Sequence, residues 1–108
     1  MRTRAENYAV LREHFEPHTV YDNVGPETHR YAAVGEEFLG DTRVGAMVLL
    51  CQTEQEAFEV LGDAVLDGYA PEGVYDLETG EKIDVRVSAP VVTRSEDQGI
   101  SANWLSDN

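Results

Sequence analysis

The fold of this chain depends on residues 44–51, which read VGAMVLLC. Nearly continuous apolar sequence of this length is typical of a strand that is buried on both faces. The sequence therefore predicts a strand over Arg43–Cys51 and places it at the centre of a sheet.

A helix is predicted directly after this strand. Thr53 and Glu56 have the spacing of a capping box, in which each side chain binds a free backbone N–H. Gly68 and Pro71 are suited to end the helix. The apolar stripe of this helix consists of Phe58, Leu61 and Val65.

An earlier helix is predicted from about Arg4 to His14. Thr3 and Glu6 form a second capping box, and Pro17 prevents the helix from continuing because it has no backbone N–H. Its apolar stripe consists of Tyr8, Leu11 and Phe15. Residues 16–28 contain several turn-forming residues and are expected to form a loop.

The remaining strands are less clearly defined. Residues 30–39 fit either a helix or a strand, and the Gly40-Asp41 pair favours a strand because it makes a turn into residues 43–51. A hairpin is predicted from Val74–Leu77 and Lys82–Val87, since Ile83, Val85 and Val87 alternate with polar residues. Residues 91–93 are expected to form a short edge strand after Pro90.

This order of elements predicts an α+β fold. We expect a mostly antiparallel sheet of four to five strands with two helices packed on one face. Residues 1–94 are expected to form a single domain, and residues 95–108 a polar C-terminal tail that could dock through Trp104.

Acidic residues dominate the composition, with 21 Asp and Glu against 8 Lys and Arg and a formal net charge of -13. Lys82 is the only lysine. Self-repulsion of this size destabilises a compact state at low ionic strength, whereas molar salt shortens the Debye length to about 3 Å and screens it. The composition therefore predicts a protein adapted to permanently high salt.

In this composition the chain resembles the short acidic proteins of haloarchaea, which accumulate salt internally. The resemblance covers the whole chain but rests on abundant Asp and Glu and on Arg as the chosen base. It implies a habitat, and it transfers no activity and no site residue.

Composition also limits the partners and the compartment. Direct nucleic-acid binding is not expected, because the arginines near the N-terminus are interspersed with glutamates. The first ten residues lack the apolar region of a signal peptide, and one cysteine cannot form an internal disulfide. We therefore expect a cytoplasmic protein with no membrane partner and no cofactor.

Two groups of residues are candidates for chemistry. His14, His18 and His29 are candidate metal ligands, although Pro17 prevents the first two from sharing a helical face. Cys51 is a candidate nucleophile, because a thiol between a strand and a helix N-terminus can have a lowered pKa. Both groups have a plainer interpretation, as surface histidines and as a buried cysteine.

A third group, the acidic turn of residues 76–84, lacks the D-x-D-x-D-G spacing of a calcium loop. The absence of catalytic motifs favours a non-enzymatic module that binds proteins and forms a homodimer through apolar sheet edges, including Val91-Val92. The alternative is a small enzyme or ligand-binding protein that uses Cys51 or a metal site at the three histidines.

Overall fold

The computed structural model describes residues 2–18, 24–88, 90–95 and 100–101. The helices in this part of the chain are α1 (Arg4–Phe15) and α2 (Glu54–Leu66). The strands are β1 (Tyr31–Leu39), β2 (Thr42–Cys51), β3 (Ala70–Asp76), β4 (Glu81–Ile83), β5 (Val85–Ser88), β6 (Val91–Arg94) and β7 (Ile100–Ser101). Neither described helix is long and apolar enough to cross a membrane.

Five of the strands form one sheet, in the order β2-β1-β3-β4-β7. Every neighbouring pair in it is antiparallel. The two remaining strands, β5 and β6, form a separate antiparallel pair. The predicted α+β fold with a mostly antiparallel sheet is thereby confirmed.

The central strand is β1 rather than the strand predicted there. Residues 43–51 do form a strand, but among the described strands β2 pairs with β1 alone, so its predicted central position is wrong. The strand interpretation of residues 30–39 is confirmed, and β1 is flanked by β2 and β3. Between residues 46 and 51, β2 contributes side chains to the cores on both faces, Ala46 and Val48 to the one with α1 and Cys51 to the one with α2.

The two helices lie on opposite faces, so the prediction that both pack on one face is wrong. Ala32 and Val34 of β1 belong to the same core cluster as Leu11 and Phe15 of α1. Ala33, which lies between them, belongs to a second cluster with the buried stripe of α2. Because successive side chains of a strand point to opposite faces, α1 and α2 cover different faces.

Both predicted helix starts are present. Thr3 Oγ1 accepts a hydrogen bond from the Glu6 N–H at 3.2 Å, and Glu6 Oε1 accepts one from the Thr3 N–H at 2.8 Å. Thr53 Oγ1 accepts from the Glu56 N–H at 3.1 Å. These local bonds satisfy N–H groups that have no partner within a helix.

The predicted strand Lys82–Val87 is divided at Asp84. Ile83 ends β4 in the core, whereas Val87 lies on β5 and is exposed, so the predicted burial of Val87 is wrong. The Asp84 carbonyl accepts a hydrogen bond from the Ser95 N–H at 2.9 Å. From this point the chain leaves the main sheet, and β5 pairs with β6 over α2.

The C-terminal segment contributes to the main sheet. Ile100 pairs with Ile83 and Ser101 pairs with Lys82, so the predicted domain boundary at residue 94 does not separate them from the sheet. The predicted docking of Trp104 lies outside the described residues.

Candidate functional site

The structure gives each of the three candidate histidines different neighbours. His14 lies on the last turn of α1 with its ring edge-on to Phe15, at a centroid distance of 4.7 Å. His29 Nδ1 lies 2.7 Å from Thr28 Oγ1. The ring of His18 lies over Gly45, where a Cβ atom would be 1.6 Å from its Nε2 atom.

These positions do not form a metal site. In the part of the chain that the structure describes, no group of three His, Cys, Asp or Glu side chains is arranged to hold a metal ion. His18 instead lies 3.9 Å from Glu37 Oε1, and both side chains are about half exposed. His14 and His18 are exposed, and His29 is partly buried.

Cys51 is part of the apolar core. It is 1% exposed and packs in the cluster that joins α2 to the sheet, and no histidine belongs to that cluster. Burial raises the pKa of the Cys51 thiol to about 12, with a further contribution from the negative charge of Glu56. Because the thiolate is the reactive form, burial and the raised pKa both disfavour reaction of Cys51 at neutral pH.

The acidic turn at residues 76–84 is bound by arginines. Arg30 contacts the carboxylates of both Asp76 and Glu78, and Arg4 contacts Glu78 at 2.7 Å. Asp76 Oδ1 also accepts the N–H groups of Glu78 and Thr79. These carboxylates therefore hold the turn and the start of α1 in place.

The sheet contains a pair of glutamates that the sequence does not reveal. Burial raises the pKa of Glu36 of β1, and the neighbouring carboxyl group of Glu72 of β3 raises it further. Arg43 Nε lies 2.7 Å from Glu36 Oε2, and Lys82 Nζ lies 2.9 Å from Glu72 Oε1. We call these four residues the polar clamp.

Two carboxyl groups that share a proton can act as a general acid–base pair. In the polar clamp, however, each carboxyl group is already bound to a cation. Arg43 also donates a hydrogen bond to the Phe15 carbonyl at the end of α1, and the Tyr75 hydroxyl donates to Glu72 at 3.5 Å. The arrangement therefore ties β1, β2, β3, β4 and α1 together.

Five of the six exposed large apolar side chains of the described residues fall into two sets, and the sixth, Val87, lies on β5. The first lies at the end of the β1–β2 hairpin and consists of Phe38, Leu39 and Val44, which are 47%, 76% and 46% exposed. We call these three residues the apolar tip. The pairing of β1 with β3 ends at Glu36, so Phe38 and Leu39 pair with β2 alone.

The second set surrounds a groove of about 250 Å³ between α2 and the β5–β6 sheet. Leu66 and Val91 on its two sides are 68% and 57% exposed. Val91 and Val92 lie on β6, which is an edge strand as predicted, and the side chain of Val92 is buried against α2. The α2 groove is lined by Gln55, Phe58, Glu59, Gly62, Asp63, Leu66, Pro90, Val91 and Val92.

Sequence reasoning missed the apolar tip for a physical reason. Phe38 and Val44 resemble ordinary strand residues, and only the pairing of strands shows that they lie beyond the helices and β3. One signal was available, because a two-residue turn at Gly40-Asp41 places the residues beside it at the exposed end of a hairpin.

Comparison with known proteins gives no family for this chain. No protein-family model matches the chain, and neither a curated protein nor a solved structure shows significant similarity to it.

Proposed function

We propose that this chain is a non-enzymatic protein–protein contact domain that forms a homodimer through the apolar tip and works in a salt-rich cytoplasm. The observation that carries the proposal is the exposure of Phe38, Leu39 and Val44 together at the end of one hairpin. Phe38 and Leu39 are successive residues of β1 and point to opposite faces, so the proposed contact uses the end of the hairpin rather than one of its faces. Exposed apolar side chains that are grouped in this way are characteristic of interaction sites.

The tip is a favourable place for self-association. Burying a large aliphatic or aromatic side chain contributes about 1.5–3 kcal/mol, and these three side chains are at best half-buried in the monomer. In a two-fold dimer the same patch meets itself, so an apolar patch is complementary to its own copy. A tip-to-tip contact would therefore bury surface that the fold leaves exposed.

Charge beside the tip makes the proposed contact depend on salt. Glu37 and Asp41 are exposed on the same hairpin, and a two-fold contact would bring their copies towards each other. Their repulsion is strong at low ionic strength and is screened when the Debye length falls to about 3 Å in molar salt. We therefore expect association to strengthen as the KCl concentration rises.

Light scattering in molar KCl tests the dimer. We expect a dimer for the wild type and a monomer for Leu39→Asn, which removes the most exposed apolar side chain of the tip. Leu66→Asn is the matched control, because Leu66 is similarly exposed but lies at the α2 groove, and it should leave the dimer intact. A strictly monomeric wild type would overturn the proposal.

Thermal unfolding tests the adaptation to salt separately. With a net charge of -13, the domain should unfold at a lower temperature when it is dialysed from molar to millimolar KCl. An unchanged melting temperature would contradict this part of the proposal and leave the dimer unaffected.

A further inference from the structure

We propose that the α2 groove is a docking site for a cationic segment of a partner protein that inserts an apolar side chain between α2 and the β5–β6 sheet. This would give the domain a second contact surface, distinct from the apolar tip. The inference rests on three observations: the groove itself, the exposed apolar side chains around it, and the charges on one of its sides.

The groove has an apolar base and apolar sides. Phe58 and Val92 are buried side chains that line it, and Leu66 and Val91 are exposed on either side. At Gly62 the helix approaches the β5–β6 sheet so closely that a Cβ atom would lie 2.5 Å from the Pro90 carbonyl oxygen. An incoming aliphatic or aromatic side chain would contact apolar atoms on both sides.

The charges around the groove have one sign. Glu59 and Asp63 are exposed on successive turns of α2, and the described residues that line the groove include no lysine or arginine. Within the described residues neither carboxylate forms an ion pair, whereas Glu54 on the same helix is bound by Arg94 at 2.6 Å. Residues four apart on a helix lie about 6 Å from each other, which suits two basic side chains of one segment.

Three occupants of the groove can be compared: the chain's own C-terminal tail, a second copy of the chain, and a cationic segment of another protein. Charge complementarity favours the cationic segment. The C-terminal residues 102–108 contain no lysine or arginine, and a second copy of the chain carries a net charge of -13. The tail would therefore meet Glu59 and Asp63 without a matching cation, and a second copy would be repelled by its net charge. A segment with Arg or Lys on both sides of a Leu, Phe or Trp anchor matches the groove, because the anchor fits its apolar base and the basic side chains fit Glu59 and Asp63.

Fluorescence anisotropy with two labelled peptides tests the proposal. One is a 14-residue peptide of leucine and arginine, and its partner has glutamate at every arginine position. Both are titrated with the full chain at the lowest KCl concentration at which circular dichroism shows it folded. We expect the wild type to bind the arginine peptide and not the glutamate peptide.

Variants locate the binding to the groove. The double variant Glu59→Lys/Asp63→Lys should weaken binding of the arginine peptide by about tenfold or more, the equivalent of two surface ion pairs. Leu66→Asn should weaken it as well. Glu13→Lys/Glu27→Lys changes the net charge equally at exposed sites that do not line the groove, and it should bind as the wild type does.

Three results would overturn the inference. One is equal binding of both peptides, or of neither, by the wild type. Another is an equal loss in the control double variant, which would show general attraction to an acidic protein. The third is a large gain of affinity in Trp104→Ala, which would show that the chain's own tail occupies the groove. The Leu39→Asn variant should bind as the wild type does, since the homodimer uses another surface.

Discussion

Arg30 binds Asp76 through two parallel hydrogen bonds, with Nε 2.9 Å from Oδ1 and Nη2 2.8 Å from Oδ2. Arg30 directly precedes β1 and Asp76 ends β3, so the pair joins the ends of two adjacent strands of the sheet. Asp76 is nearly buried and also accepts the N–H groups of the β3–β4 turn. One carboxylate therefore fixes both a strand end and a turn.

Asp76→Asn should destabilise the domain by about 1.5–3 kcal/mol, the usual contribution of hydrogen bonds to a charged group. The amide cannot accept from both Arg30 and the turn with the strength of a carboxylate. Urea unfolding in molar KCl measures the change. Glu78→Gln is the control, because its side chain is about half exposed, and it should cost less than about 1 kcal/mol.

The contribution of Asp76 should also depend on pH. Burial opposes its ionisation, but the hydrogen bonds from Arg30 and from the Glu78 N–H outweigh burial and lower its pKa below the ordinary 3.8. Such a carboxylate stabilises the fold fully above its unfolded pKa, and this stability is lost as the pH falls through the folded pKa. The difference in unfolding free energy between wild type and Asp76→Asn should therefore shrink with acidification below about pH 4. A constant difference would contradict this assignment.

Glu36 in the polar clamp should show the opposite dependence. Its pKa is raised above the ordinary 4.5 by burial and by contact with Glu72, so the folded state holds its proton more tightly than the unfolded state does. That stability is complete below the unfolded pKa and is lost as the pH rises through the folded pKa.

Glu36→Gln tests this because an amide resembles the protonated carboxyl group and does not titrate. Relative to wild type, the variant should become more stable as the pH rises from about 4 towards neutrality, as urea midpoints at several pH values would show. Glu37→Gln, at the exposed neighbouring position, should show no such trend. Parallel curves for wild type and Glu36→Gln would contradict the raised pKa of Glu36.

Gly62→Ala should destabilise the domain by about 1–3 kcal/mol, the usual cost of overpacking. In an isolated helix the same change is stabilising by about 1 kcal/mol. A destabilising effect would therefore indicate the close contact between α2 and Pro90. The new Cβ would lie 2.5 Å from the Pro90 carbonyl oxygen and would push the β5–β6 sheet away from α2.

Urea unfolding of Gly62→Ala measures this effect. Gly25→Ala is the control, because the nearest atoms to its Cβ belong to the flexible end of Glu27 and can move away. A stabilising effect at position 62 would mean that α2 and the β5–β6 sheet do not contact each other at Gly62 and Pro90.

Cys51 should resist alkylation in the folded domain. With a thiol pKa of about 12 and 1% exposure, it should react with iodoacetamide at pH 8 only after unfolding. Mass spectrometry of the native and urea-unfolded chain, with free cysteine as the reference, measures the contrast. Rapid labelling of the native chain would restore Cys51 as a candidate nucleophile.

The local elements could be predicted because their causes are local. Thr3 and Thr53 bind N–H groups three residues further along the chain, so both helix starts can be recognised in a short stretch of sequence. The Gly40-Asp41 turn likewise fixes the pairing of the two residues beside it, Leu39 and Thr42. These interactions involve no partner from elsewhere in the chain.

The candidate sites were not predictable in the same way. Glu36 and Glu72 are far apart in the sequence and meet only because β1 pairs with β3, and the α2 groove forms only because the β5–β6 sheet leaves the main sheet at Asp84. In a chain with 21 acidic residues, no spacing distinguishes the carboxylates that pair from those that remain in solvent.

The sequence by itself determined the helix ends, the strand at residues 43–51, the hairpin turn and the acidic character of the domain. Only the tertiary structure decided that β1 is central, that α1 and α2 cover opposite faces, and that Phe38, Leu39 and Val44 lie outside the core. A run of apolar residues shows that both faces of a strand are suited to burial, but strand order and the helix on each face depend on contacts between distant segments.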